Sequence, residues 1–347
     1  MSFKRIPKLL RNLVLPALAA ASMAAHAGPF SGIFIFGDSL SDTGNVSIAT
    51  GGAAPDPSQP YAPGRFSDGP VWVETFASGL GLSVTPALTP GGGNNFAFGG
   101  ARTGAVGTPP GVLAQAVGLW GGGSQAPIPG RADPNALYVV VAGGNDMRDA
   151  RSIFTGDPVA DAAARQAVAV SAITNLANTI SYLAASGARN VLISTLPDLG
   201  VTPEAIGLGL QAASTDATNR FNALIPTLFG LESIPAFNGL DIRLLDMAAV
   251  AANVRVNFVD FGVTNVGLPC GAFTGSQGAS CATSLFSDAL HPSAYAHSLI
   301  GYAALAVYGV PLPGTLALMV LALVLLVLVQ RRRVGEAQPV GFRSVAR

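Results

Sequence analysis

The stretch Ala136–Gly144, "ALYVVVAGG", constrains this chain more than any other. It is a continuous apolar, β-branched run with no polar residue on alternate positions, stopped by two glycines. A strand of an open antiparallel sheet alternates apolar and polar residues, because one face meets water. An unbroken run is the mark of a strand buried on both faces, as in a parallel sheet covered by helices. Similar strands recur: "GIFIF" at Gly32–Phe36, "RNVLIST" at Arg189–Thr195 and "DIRLLD" at Asp241–Asp246. Between them lie stretches with helical spacing at Val71–Gly81, Asp157–Ser186 (with room for one break, and closed by Gly187), Ala212–Phe229 and Pro292–Tyr308, where Pro292 suits the first turn of a closing helix. Strand–helix alternation predicts an α/β fold with a central parallel sheet. The Gly- and Pro-rich segments Thr43–Pro70 and Ala87–Gly130 read as long loops, which in a compact domain commonly shape a site. They are expected to build the substrate pocket.

The two ends stand apart from this pattern. Met1–Ala27 carries Lys4, Arg5, Lys8 and Arg11, then an apolar stretch, then Ala25-His26-Ala27. That is the layout of a secretory signal with an A-x-A cleavage site, so the mature chain is expected to begin at Gly28. At the other end "TLALMVLALVLLVLV", Thr315–Val329, holds no charge and runs into Arg331-Arg332-Arg333. An apolar run followed by arginines fits a membrane span with its C-terminal side in the cytoplasm. The expected organisation is a signal at 1–27, one domain at 28–309, a transmembrane or sorting segment at 310–333, and a short tail at 334–347. The protein is accordingly expected to be exported, and either anchored through the C-terminal helix or released into the envelope or beyond.

Zero net charge hides an asymmetry. Between Gly28 and Gln330 there are 10 basic and 18 acidic residues, a net of −8, and no lysine. Such a body is a poor ligand for nucleic acid or anionic surfaces. Its two cysteines, Cys270 and Cys281, lie in a Gly/Ser-rich loop, and export to an oxidising compartment predicts a disulfide between them.

In an open α/β sheet, ligands bind at the carboxyl ends of the strands. There the chain places three Gly- and amide-bearing turns: Gly37-Asp38-Ser39-Leu40, Gly143-Gly144-Asn145-Asp146, and "GNNFAFGGARTG" at Gly93–Gly104. Each by itself is an ordinary turn, but together they suggest a site. A serine hydroxyl needs a base to act as a nucleophile. The chain has three histidines, and His26 leaves with the signal. His291, in "DALHP", has Asp288 three residues upstream, placed to accept its Nδ1–H and leave Nε2 for a serine. His297 lies inside the last helix with no neighbouring acid and reads as a structural histidine. Donors for a developing oxyanion are available from the Ser39 N–H, the Gly100 N–H and the Asn145 side-chain amide.

These residues resemble a known family. The ordered blocks "FIFGDSLSDTGN" (Phe34–Asn45), "NNFAFGGA" (Asn94–Ala101), "GGND" (Gly143–Asp146) and "DALHP" (Asp288–Pro292) are similar to those of GDSL hydrolases of the SGNH superfamily. Secondary matches are "LPDLGVTP", "NRFNALI" and "FGVTNV", and the resemblance spans about residues 31–308. It implies a flavodoxin-like three-layer α/β/α sandwich. It implies Ser39 as nucleophile, His291 as base and Asp288 as its orienting acid, with Ser39, Gly100 and Asn145 forming the oxyanion hole. The adjacent Gly99 is the alternative donor to Gly100. No metal or cofactor is implied. The substrate is an ester of a lipid, a short-chain acid or an acylated polysaccharide, and the reaction is hydrolysis. Acyl transfer, deacetylation of an extracellular polysaccharide and a non-catalytic surface role are the other readings. The stretch "VPLPGTLALMVLALVLLVLVQRRR" resembles a bacterial PEP-CTERM sorting signal, which implies a sorting transpeptidase as a partner. It has Pro311-Leu312-Pro313 where that family usually has Pro-Glu-Pro, and 14 residues follow Arg333.

Overall fold

A computed structural model describes residues 29–310. The stretches expected to be a secretory signal, a transmembrane or sorting segment with its arginines, and a tail lie outside the described residues. Strands β1 (Ile33–Gly37), β2 (Leu137–Val141), β3 (Asn190–Ser194) and β4 (Asp241–Leu245) form one parallel sheet in that order. The helices are α1 (Asn45–Ala49), α2 (Trp72–Gly79), α3 (Gly144–Ala150), α4 (Pro158–Ala185), α5 (Pro203–Gly207), α6 (Gln211–Leu224), α7 (Met247–Val256) and α8 (Ala294–Val307). A short parallel pair, β5 (Asn265–Pro269) and β6 (Ser284–Phe286), stands apart from the main sheet.

The period-2 geometry of the strands divides the core in two. Phe36, Tyr138, Val140, Val191, Ile193 and Ile242 point to one face and pack with Leu176, Ile180 and Leu183 of α4 and Phe221 of α6. Ile33, Ile35, Leu137, Val139, Val141 and Leu192 point to the other and pack with Trp72 and Phe76 of α2 and Ile300 and Leu305 of α8. The result is the expected three-layer sandwich. It explains why β2 shows no alternation in sequence, since all five of its residues are buried.

A further extended segment was hidden in what reads as a loop. Asn94–Phe98 runs along the free side of β1: the Ile35 N–H donates to the Asn94 carbonyl (2.9 Å), and the Phe96 and Phe98 N–H groups donate to the Ile35 and Gly37 carbonyls (2.7 and 3.2 Å). The second extended piece of the chain thus sits outside the first, which completes the flavodoxin-like order. It is too short, and too closely hemmed by Gly91–Gly93 and Gly99-Gly100, to show a strand pattern.

Other departures are local. The long helix α4 is unbroken over 28 residues, capped by Asp157, whose carboxylate accepts the Val159 N–H. α6 stops at Leu224 because Pro226 cannot donate to a continuing helix, and the chain goes on as a 3₁₀ turn. Pro292 lies ahead of α8 and not in its first turn: Ser293 is the cap, its hydroxyl accepting the Ala296 N–H. The two long loops contain α1 and a helical turn over Val112–Trp120 that ends in a π-helical segment.

Candidate active site

β1 ends at Gly37, where no other residue fits: a Cβ there would lie 2.7 Å from the Val141 carbonyl of β2. The Gln115 side chain bonds both backbone groups of Gly37 at 2.9 Å and fixes the strand end. The chain then turns sharply, with the Ser41 and Asp42 N–H groups donating back to the Asp38 carbonyl, and presents Ser39. After β2 the chain reaches Gly143, at φ 125°, where a Cβ would lie 2.5 Å from the Phe221 ring. That turn starts α3 with Asn145 in its first turn. The third arm, Ser287–Pro292, links β6 to α8. It is held by Asp68, whose carboxylate accepts from the Ser287 hydroxyl (2.7 Å) and the Ala294 N–H (2.8 Å).

The three arms meet. The Ser39 Oγ lies 2.9 Å from His291 Nε2, and His291 Nδ1 lies 2.7 Å from Asp288 Oδ2. Because Nδ1–H donates to the carboxylate, Nε2 is left to accept the serine proton. Asp288 Oδ1 accepts the backbone N–H of Leu290 and His291 at 2.7 and 2.6 Å, and the Tyr61 hydroxyl donates to Oδ2. Burial by itself pushes the Asp288 carboxyl up. The His291 charge, the ring and backbone donors and the Tyr61 hydroxyl outweigh it and hold the group well below the usual carboxylate range. The Tyr61 hydroxyl is correspondingly pushed up, by burial first and then by Asp288.

The Asn145 Nδ2 donates one hydrogen to the Ala101 carbonyl (2.9 Å), and Arg148 Nη1 donates to Asn145 Oδ1 (3.3 Å). This fixes the orientation of the amide and, among the described residues, leaves its second N–H without an acceptor. Gly99 and Gly100 are distinguished by the same kind of accounting. The Gly99 N–H is spent on Asp42 Oδ2 at 2.9 Å, while among the described residues neither the Gly100 nor the Ser39 N–H has an acceptor. Gly100 adopts φ 81° and lines the same cavity as Ser39, Asn145 and His291.

Several residues of this arrangement went unread in the sequence. The buried Asp42 carboxylate accepts from Gly44, Asn45, Val46 and Gly99, tying the Ser39 turn to the Gly99-Gly100 turn. Its pKa is raised, burial outweighing those four donors. Asn95 donates to the Ser41 carbonyl and Thr43, and Asn45 to the Asn95 and Ala97 carbonyls, which reinforces the same junction. His297 is buried in α8 and accepts the Trp72 N–H at Nδ1 (3.2 Å). Burial, aided by the His291 charge, pushes its pKa down to about 3, so it is a neutral core residue.

Cys270 and Cys281 are joined in a disulfide, with Cα atoms 4.9 Å apart. Asp68 approaches both sulfurs, but sulfur bound in a disulfide offers no thiolate to a metal. Within the disulfide loop the Phe273 ring packs edge-on against Tyr61 at 4.9 Å, and Tyr61 in turn reaches Asp288.

Two cavities open at Ser39. One is polar and is lined by Asp56, Gln59, Tyr61, Phe66 and Gly100 from the two long loops. The other is apolar, and no residue of those loops lines it; the loops expected to build the pocket contribute to the polar cavity alone. The walls of the apolar cavity come from the segment after β3, from α7, and from β6 through α8. Helices had the apolar faces to build it, and the Gly- and Pro-rich loops did not.

Comparison with known proteins places these features. The family model described as GDSL-like lipase/acylhydrolase matches residues 33–304. An uncharacterized protein of the trpE-trpG intergenic region of Pseudomonas putida is 30% identical over 89% of this chain and 53% of its own length. GDSL esterase/lipase 22 of Arabidopsis thaliana is 31% identical over 52% of this chain and 49% of its own. Esterase EstA of Pseudomonas aeruginosa is 27% identical over 84% and 49%. The chain spans about half the length of these curated relatives.

Proposed function

The chain belongs to the GDSL-like lipase/acylhydrolase family, and from that premise we propose that it is an exported serine hydrolase of carboxylic esters, working through Ser39, His291 and Asp288. The observation that carries the reading is the pair of contacts at His291: 2.9 Å from Nε2 to the Ser39 hydroxyl and 2.7 Å from Nδ1 to Asp288.

In this mechanism His291 takes the Ser39 proton as Oγ attacks the ester carbonyl. Asp288 keeps the imidazole in the tautomer with Nδ1–H and offsets the positive charge it gains. The carbonyl oxygen becomes an oxyanion against the Ser39 N–H, the Gly100 N–H and the free N–H of Asn145. These groups are already in place, so little reorganisation is needed when the charge develops. His291 then returns its proton to the departing alcohol. The acyl-enzyme is cleaved by water, activated by His291 in the same way.

Export agrees with the secretory features of Met1–Ala27, the acidic lysine-free body and the disulfide. Anchoring or sorting through the apolar segment and its arginines belongs to the same proposal. N-terminal sequencing and intact mass of protein recovered from the envelope test both ends: a chain still carrying its first 27 residues would overturn the signal reading.

The test of the chemistry compares the purified full-length protein with Ser39→Ala on p-nitrophenyl acetate and butyrate. Loss of turnover to the background left by binding and the oxyanion hole is expected, with an acyl adduct on Ser39 trapped by rapid acid quench and mass spectrometry. Undiminished hydrolysis by Ser39→Ala overturns the assignment. Acyl transfer uses the same acyl-enzyme, so ester product formed in the presence of glycerol identifies that outcome.

A further inference from the structure

The apolar cavity beside Ser39 has a volume of about 130 Å³ and opens to solvent at its mouth. Leu196, Val250, Val254, Leu285, Leu299 and Ile300 are among its walls, so it lies between α7, α8, β6 and the segment that follows β3. Ser39, Asn145 and His291 line both this cavity and the polar one, and therefore stand at the point where the two meet. Most charged side chains that border the apolar cavity are held elsewhere, the buried Asp38 carboxylate at its Ser39 end being the exception. Arg148 pairs with Glu204 at 2.5 Å, Asp198 accepts from Thr215 and the Gly200 N–H, and Arg255 donates to the Val266 carbonyl. Of the three proposed oxyanion donors, Ser39 and Asn145 line both cavities and Gly100 lines only the polar one.

An ester bound with its carbonyl oxygen toward Gly100 has two arms to place. One faces an apolar chamber and the other an open, polar mouth that carries Asp56, Gln59 and Thr274. A hydrocarbon chain gains more from leaving water on the first side, whose lining is almost wholly apolar, than in the open, mixed lining of the second. Resting on the ester-hydrolase reading above, we infer that this cavity is an acyl-chain site, and that the substrate is an ester of a medium-length, straight-chain fatty acid and not an acetyl ester.

Burying a methylene yields about a fourfold gain in binding. Acetate and octanoate differ by six methylenes, so even incomplete burial gives octanoate an advantage of about 100-fold in kcat/KM. Ala251, half-buried on α7, lines the cavity, and Ala251→Leu places an isobutyl group inside it. Leu299→Ala removes a wall from α8.

The experiment measures kcat/KM of the full-length protein on p-nitrophenyl acetate, butyrate, octanoate and palmitate for the parent and both variants, with thermal melts to verify folding. Expected are an octanoate-to-acetate ratio of about 100 in the parent, a fall of tenfold or more in that ratio for Ala251→Leu, and a shift toward longer chains for Leu299→Ala. A parent ratio at or below one, or a ratio unmoved in both folded variants, overturns the inference. A second readout does not depend on turnover. Octanoic acid titrated calorimetrically into Ser39→Ala should bind, with a negative heat-capacity change, and should bind more weakly once Ala251→Leu is added. Acetate hydrolysis without octanoate binding sinks the acyl site and spares the hydrolase. Octanoate binding without hydrolysis of any ester sinks the hydrolase reading and leaves a fatty-acyl site standing.

Discussion

Asp38, the residue beside the proposed nucleophile, is the place where folding and chemistry are expected to conflict. Its side chain is 3% exposed and makes no ion pair among the described residues. Burial pushes its pKa up to about 6, against the opposing pull of the Leu40 N–H at 3.0 Å and the His291 charge, while Asp146 adds to the rise. Below the unfolded value of 3.8 both states hold the proton and the group costs nothing. As pH rises toward 6 the unfolded chain ionises first, so the native state loses stability; above 6 the loss is complete. At 1.36 kcal/mol per tenfold in proton affinity, the full loss is about 3 kcal/mol. Asp38→Asn keeps an acceptor for the Leu40 N–H and removes the ionisation. Thermal melts of parent and variant at pH 4 and pH 8 should therefore coincide at the acid end and diverge at the alkaline end, with the variant melting on the order of 5 °C higher. Activity should move the opposite way. An ionised Asp38 adds a second negative charge near the imidazolium that forms as Ser39 attacks, worth about 1 kcal/mol at protein-surface dielectric, so the variant should lose about fivefold in kcat/KM at pH 8. Parallel melting curves for the two proteins across the pH range would refute the account of a buried carboxylate forced to ionise.

Two further outcomes follow from the geometry. Asn145→Ala removes the side-chain donor proposed for the oxyanion and should lower kcat by about 10²–10³ with KM little changed; an unaltered kcat would remove Asn145 from that role. Replacing both Cys270 and Cys281 by serine opens a loop of about ten residues, which should cost about 2–3 kcal/mol in urea melts. It should also slow turnover, because Phe273 no longer braces Tyr61 against Asp288; unchanged kinetics would show that the disulfide loop and the site are uncoupled.

What the sequence disclosed follows physical lines. Strands β1 to β3 were legible because burial on both faces leaves a run such as Leu137–Val141 no polar residue to confuse with anything else, whereas β4, at the end of the sheet order, keeps Asp241 and an exposed Arg243 within a shorter apolar pattern. The strand-end turns were legible because a nucleophile at a sheet's edge needs residues like Gly37 and Gly143 that permit close approach or positive φ. Pairing Ser39 with His291 across 252 positions rested on scarcity, since only two histidines remain once the signal is set aside. The supporting groups had no such scarcity. Tyr61 lies 227 residues from Asp288, and Asp68 lies 219 from Ser287, in a loop whose composition says only that it is irregular. The choice between Gly99 and Gly100 was likewise closed to the sequence, because it turns on a hydrogen bond: Asp42 takes the Gly99 N–H and leaves the next one free.

The apolar cavity shows the same limit from the other side. Val250 and Val254 on α7, and Leu299 and Ile300 on α8, sit at ordinary helical spacings and read as core residues of two amphipathic helices. Much of α8 does meet that description, since Leu305 packs under α2 against the sheet. Whether the rest of such a face closes on a neighbour or stands off from it depends on how far apart two helices are held. Here the cavity is bordered by the two helices together with β6 and the segment after β3, neither of which belongs to the helices themselves. A pattern of apolar residues specifies which surface leaves water, but not whether the surface is covered by protein or by a ligand. The distinction becomes visible only where the gap ends on reactive groups, as this one does at Ser39 and His291.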